Sequence, residues 1–216
     1  MMSGSADSLD SIMAATAGRR FEAIVIGASA GGVNALLGLL SGLPATFRLP
    51  VVTVLHLPDD RESHLAEIFQ NRSSIAVREA RDKAGVEPAT LYFAGAGYHL
   101  SIEHDRSFSL SGEEPVHFSR PSIDLLMASA ADVYGDSLAG ILLTGANYDG
   151  ANGLARIREQ GGLTVVQDPA EAQVATMPEA AIRKLQPDLI LRLDAIRQLI
   201  LQMDRACSNY FQGDAL

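Results

Sequence analysis

FEAIVIGASAGGVNALLGLL, residues 21–40, passes from a short apolar run through a set of small residues into a helical pattern. Ala23 to Ile26 has the continuous hydrophobicity of a strand buried on both faces. Gly27-Ala28-Ser29-Ala30-Gly31-Gly32 then permits a sharp turn, after which Val33, Leu36, Leu37 and Leu40 share one helical face. Ser29 sits at the apex. Gly27 to Gly31 satisfy G-x-S-x-G, in which small neighbours let a serine hydroxyl stand clear of a strand-to-helix turn. The helix start beyond it offers unbonded N–H groups and partial positive charge, suited to an oxyanion or a phosphate. On the loop alone, three uses compete: Ser29 as an N-cap, the loop as a phosphate cradle, and Ser29 as a nucleophile. Ser29 stands where a dinucleotide fingerprint needs its middle glycine, which weighs against a nucleotide-binding α/β domain.

Outward from this unit the pattern repeats. Val51 to Leu55 is a second apolar strand ending at His56-Leu57-Pro58, and Leu138 to Leu143 a third ending in Thr144-Gly145-Ala146-Asn147-Tyr148-Asp149-Gly150. Shorter strands are expected at Ala76–Glu79, Leu91–Phe93, Leu163–Val166 and Leu189–Leu193. Helices are expected over Ser63–Gln70, from Ser119-Arg120-Pro121-Ser122 with proline near the first turn, through Leu154 and Ile157, as a turn over Ala180–Lys184, and over Asp194–Arg205. Residues 100–110 alternate across His104-Asp105-Arg106, which reads as a hairpin at a sheet edge. The expected fold is α/β: doubly wound, a mostly parallel sheet with an antiparallel edge hairpin and helices on both faces. The expected organisation is a flexible leader over 1–20 with at most a short helix at Leu9–Ala15, one catalytic domain over 21–205, and a loose tail over 206–216.

The composition narrows the function classes. A net charge of −9 argues against nucleic-acid binding, which needs a basic footprint. No apolar run has membrane-spanning length, and the N-terminus lacks an apolar signal core. The single cysteine, Cys207, excludes an internal disulfide framework and fits a reducing, cytoplasmic setting. The five histidines and one cysteine show no metal-ligand spacing, which argues against structural zinc.

In a parallel sheet, ligands bind at the carboxyl ends of the strands. Ser29, His56 and Asp149 all follow such ends, and converge if their strands are neighbours. Together they supply a nucleophile, a general base and an orienting carboxylate. Taken alone, Asp149 before Gly150 reads more simply as the N-cap of the next helix. The order Ser, His, Asp differs from that of the common α/β-hydrolases.

That order resembles the catalytic domain of the CheB family, the chemotaxis receptor methylesterases. The likeness runs from Ala23 to about Leu193. It rests on Ile26-Gly27-Ala28-Ser29-Ala30-Gly31-Gly32, Leu55-His56-Leu57-Pro58, Arg120-Pro121-Ser122-Ile123-Asp124, Leu142-Leu143-Thr144-Gly145, Asp149-Gly150, Gln160-Gly161-Gly162, Gln167 and Met177-Pro178. The resemblance implies hydrolysis of glutamate γ-methyl esters on cytoplasmic chemoreceptor helices, or on a related signalling protein, with release of methanol; many members also deamidate glutamine. It implies Ser29 as nucleophile, His56 as base, Asp149 as its acid, and an oxyanion hole from N–H groups near Ala30 and Ala146, with no metal or organic cofactor. The sequence departs from the family at Ser119, where histidine is usual, at Ala94-Gly95-Ala96, and at Ala146, where methionine is common. Twenty residues before Phe21 are too few for the receiver domain most members carry, so the expectation is constitutive activity or a separate regulator. A catalytically silent docking module is the remaining rival, which the presence of all three residue types opposes.

Overall fold

The computed structural model describes residues 4–57 and 65–213. Pro58, Ser63 and His64 of the expected motifs lie outside the described residues, as do both extremes of the leader and tail. The elements are α1 (Gly4–Thr16), β1 (Ala23–Ala28), α2 (Gly32–Leu40), β2 (Val51–Leu55), α3 (Leu65–Gln70), β3 (Ala76–Glu79), β4 (Thr90–Phe93), β5 (His99–Ile102) and β6 (Phe108–Ser111), then α4 (Ile123–Tyr134), β7 (Leu138–Leu142), α5 (Ala151–Glu159), β8 (Leu163–Gln167), α6 (Thr176–Leu185), β9 (Leu189–Leu191) and α7 (Leu193–Gly213).

Seven strands form a parallel sheet in the order β3-β4-β2-β1-β7-β8-β9. The apolar runs at β1, β2 and β7 occupy its centre, and every residue in them is buried. Alternation along β1 divides the interior in two. Ile24, Ile26 and Ala28 face a core shared with Leu36 and Leu39 of α2, Phe69 of α3 and Ile196, Leu199 and Met203 of α7. Ala23 and Val25 face Leu126 and Met127 of α4, Leu154 and Ile157 of α5 and Met177 of α6. The chain winds to one side of β1 through β2, β4 and β3, and to the other through β7, β8 and β9. That reversal opens a crevice at the carboxyl end of β1.

Three local readings change. The β5–β6 hairpin exists, but as a separate two-stranded sheet; the edges of the main sheet are β3 and β9. Its apolar face is drawn onto the sheet's surface rather than its edge: Leu100, Ile102 and Phe108 are buried, and the Phe108 ring lies 4.8 Å from that of Tyr92. The Ile102 N–H donates to Ser129 Oγ of α4 at 3.1 Å. Within the leader, α1 is longer than the expected turn, and Ile12 is buried in the core that α7 lines. That contact spans nearly the whole chain, so local periodicity carries no sign of it. Likewise α7 continues past Arg205 to Gly213. At α4 the proline is near the first turn as expected: Pro121, after a cis Arg120–Pro121 bond, precedes the N-cap Ser122, whose Oγ accepts from the Leu125 N–H. Among the described residues, no helix is long and apolar enough to cross a membrane.

Candidate active site

The register of β1 and β2 pairs Ala28 with Leu55, so the next step places Ser29 beside His56. The His56 N–H confirms the alignment by donating to Ala28 O at 3.0 Å. On the other side the Ser29 N–H donates to Thr144 O, two residues beyond the end of β7, also at 3.0 Å. Ser29 is thus held by its backbone between the ends of two neighbouring strands. It does not cap α2: the N-cap is Gly31, with no side-chain hydrogen bond to the helix. The Ser29 hydroxyl makes no hydrogen bond to any other described group. Gly31 has φ +81°, and a Cβ there would meet Gln173 Cβ at 2.7 Å, so the turn requires glycine on both counts.

Thr144 ties three loops together. Its hydroxyl donates to Ala30 O at 2.8 Å and accepts from the Val174 N–H at 2.9 Å, while its own N–H donates to Gln167 Oε1 at 2.9 Å. Ala30 and Ala146, in the loops that follow β1 and β7, are exposed residues. Among the described residues neither N–H has an acceptor.

His56 and Asp149 are joined: Nε2 donates to Oδ2 at 2.9 Å. Because a carboxylate only accepts, the neutral ring carries its proton on Nε2 and presents a lone pair at Nδ1. Ser119 Oγ meets that lone pair at 3.3 Å, and itself accepts from Asn147 Nδ2 at 3.4 Å. A serine noted in the sequence only as a departure therefore touches the imidazole, and Asn147 stands behind it. Neither has a motif signal, because both contacts depend on how the 112–121 and 144–150 loops fold over the strand ends.

Asp149 is fully buried and accepts four hydrogen bonds. Besides His56, the Ile123 N–H reaches Oδ2 at 2.7 Å, while the Asp124 N–H and Ser122 Oγ–H reach Oδ1 at 3.0 Å each. Burial pushes its carboxyl upward, but the His56 hydrogen bond and the Asp124 and Ile123 amides outweigh it and hold the group below the usual aspartate range. It remains a carboxylate. The N-cap reading of Asp149 is thus corrected in direction. Gly150, not Asp149, caps α5, and the Asp149 side chain satisfies the first amides of α4 instead.

The service is returned. Asp124, in the first turn of α4, accepts from the Gly150 N–H at 2.9 Å and the Gly153 N–H at 2.7 Å, satisfying the start of α5. Each helix start is held by an acidic side chain from the other's loop or first turn, where negative charge is favoured. The exchange requires close approach. A Cβ on Gly153 would meet Met127 Cβ at 2.6 Å and the Asp124 Cα and O at 2.9 Å. Gly153→Ala is therefore expected to cost about 1–3 kcal/mol, read as a fall of several degrees in the thermal midpoint followed by circular dichroism. An unchanged midpoint would contradict so tight a crossing of α4 and α5.

Among the described residues, no group of three or more His, Cys, Asp or Glu is arranged to hold a metal ion. What the arrangement can do is acid–base chemistry on a hydroxyl beside an imidazole whose tautomer is fixed.

Comparison with known proteins matches residues 24–200 to the family described as CheB methylesterase. A Leptospira interrogans protein, provisionally named protein-glutamate methylesterase/protein-glutamine glutaminase, is 45% identical over 185 residues, which are 86% of this chain and 96% of that one. A Clostridium acetobutylicum protein-glutamate methylesterase/protein-glutamine glutaminase is 32% identical over 184 residues, 85% of this chain and 53% of its own length. The chain thus spans nearly all of the first relative and about half of the second. The crystal structure of the Thermotoga maritima CheB methylesterase catalytic domain superposes with a TM-score of 0.80 at 29% identity, covering 84% of this chain and 98% of that one. With the family match extending across most of its length, from β1 into α7, the chain belongs to the CheB methylesterase family.

Proposed function

We propose that this methylesterase hydrolyses γ-methyl esters of glutamate on the cytoplasmic helices of chemoreceptors, with Ser29 as nucleophile, His56 as base and Asp149 as its orienting acid. The neutral His56 ring takes the Ser29 proton at Nδ1 as Ser29 Oγ bonds to the ester carbonyl carbon. The Ala30 and Ala146 N–H groups receive the negative charge that develops on the carbonyl oxygen. His56 then returns the proton from Nδ1 to the leaving oxygen, and methanol departs. A water molecule, deprotonated by His56, attacks the acyl-enzyme; its proton passes to Ser29 Oγ as that bond breaks, leaving free glutamate. Asp149 keeps the ring turned and balances the imidazolium without taking a proton. Glutamine in the same position follows the same path with ammonia as leaving group, an activity that the names of the Leptospira and Clostridium relatives include.

The observation that carries this reading is the 2.9 Å bond from His56 Nε2 to a fully buried Asp149, one strand-pairing step from Ser29. In the resting state Ser119 occupies Nδ1, so Ser29 engages the ring only when that contact opens. Catalytic hydrogen bonds are often loose before substrate arrives. The test is methanol release from a methylated chemoreceptor cytoplasmic fragment, together with covalent labelling of Ser29 by a fluorophosphonate. Methanol release with Ser29 as the labelled residue is the expected result. Labelling of another residue, or no methanol, would defeat it.

A further inference from the structure

Val116 to Ser119 form a two-residue turn closed by two hydrogen bonds, from the Val116 N–H to Ser119 O at 3.1 Å and from the Ser119 N–H to Val116 O at 2.9 Å. Both central residues lie in the left-handed region, His117 at φ 50° and Phe118 at φ 63°. Such turns favour Asn and Gly, and a bulky aromatic residue there is strained. The structure holds that strain in place from both ends. His117 Nε2 lies 3.4 Å from Asp124 Oδ2, and its ring packs edge-on against Tyr148 at 4.6 Å. Ser119 Oγ reaches His56 Nδ1. Behind the turn, Arg120 donates to the carbonyls of Gly112 and Glu113 at 3.0 and 2.9 Å.

One consequence is that Phe118 points wholly outward. It is 99% exposed, and Tyr148, next in sequence to Asp149, is 52% exposed. An apolar ring on a braced and strained mount, one residue from a side chain that touches the catalytic imidazole, has no role in the core of this chain. Strain persists where surrounding contacts over-determine it, and it clusters at ligand clamps. We infer that Phe118 is a docking residue for the protein substrate: its ring packs against an apolar side chain of the helix that carries the esterified glutamate. This rests on the esterase reading above. Net charge also favours an apolar contact. At −9 this chain offers no long-range attraction to a glutamate-bearing segment, so burial of apolar surface is left to supply recognition.

The experiment compares the full chain with its Phe118→Gly and Phe118→Ala variants. Glycine adopts the positive φ without strain, so Phe118→Gly keeps the turn while deleting the ring. Two kcat/KM values are measured, on the methylated receptor fragment and on p-nitrophenyl acetate. The ratio of the first to the second is expected to fall roughly tenfold in both variants, as for loss of one aromatic anchor. A ratio within twofold of the unmodified chain in either variant would overturn the docking role, even if both activities fell together. An unmodified chain that cleaves the small ester but releases no methanol from the fragment would overturn the receptor substrate and the docking role alike. One inactive on both would defeat the serine-hydrolase reading itself.

Discussion

Ser29→Ala is expected to reduce methanol release on the order of a millionfold, and His56→Ala by a similar factor, as in other triads where nucleophile and base act as a unit. The double variant should lose little more than either single one. The reason lies in the geometry. In the proposed mechanism Ser29 Oγ is a weak nucleophile at neutral pH, and the base for its proton is Nδ1 of His56, because Nε2–H is committed to Asp149. Remove the hydroxyl and the base has nothing to act on; remove the ring and the hydroxyl keeps its proton. The Ala30 and Ala146 N–H groups survive both changes and leave a residual rate above water. Ser29→Ala should leave the fold undisturbed, since the Ser29 hydroxyl bonds to no described group; His56→Ala removes one of the four donors to Asp149 but keeps the other three and the backbone bond to Ala28, so the chain should still fold. The checks are methanol release and circular dichroism on each variant. A folded Ser29→Ala protein with near-normal turnover would end the mechanism, and losses that add in the double variant would separate the two residues.

Asp149→Asn should be nearly as severe for catalysis and, unlike the first pair, costly for the fold. An amide cannot hold the Nε2–H tautomer as a carboxylate does, and the corresponding change in a well-studied triad lowers kcat about ten-thousandfold. The structural cost follows from the four donors that converge on this carboxylate. An asparagine must turn an NH2 toward at least one of them, leaving a buried donor unpaired, and it removes negative charge from the start of α4. A loss of about 2–4 kcal/mol is expected, near 10 °C in thermal midpoint for a chain of this size. The deficit should depend on pH in a set direction. The folded carboxyl titrates below its ordinary range, so its contribution is fully present above the unfolded value near 4 and is lost as pH falls through the folded one. Thermal midpoints of the two proteins should therefore lie furthest apart at neutral pH and converge in acid. A constant gap down to pH 2 would mean that charge on Asp149 plays no part in holding α4.

The strands that carry this site were legible because each is a continuous apolar run, and a strand buried on both faces has no other way to be written. From that, the carboxyl-end rule draws Ser29, His56 and Asp149 toward one crevice on the sequence alone. Other features were not legible, and share a cause. Asp149 looked like the cap of the helix that follows it, since capping is read from neighbours in sequence; its actual partners, Ile123 and Asp124, lie some 25 residues upstream. Ser119 read as a mere substitution because its contact with His56 crosses 63 residues. Alternation in the hairpin shows which face is apolar, not which surface will cover it, so its position on the sheet is not written there. The Ile12 contact with the α7 face was hidden for the same reason.

Asp149 and Asp124 each secure the other's helix, so the acid of this centre is also a fastening of the scaffold. That duality changes how relatives of this chain should be judged. A descendant that had abandoned ester hydrolysis would still be under pressure to keep aspartate at position 149, because losing it would loosen α4. Its presence is therefore a weak witness to activity. The Ser29 hydroxyl holds up nothing, and drift would be free to erase it. Among related sequences the serine is the residue to inspect when asking whether the chemistry has been retained.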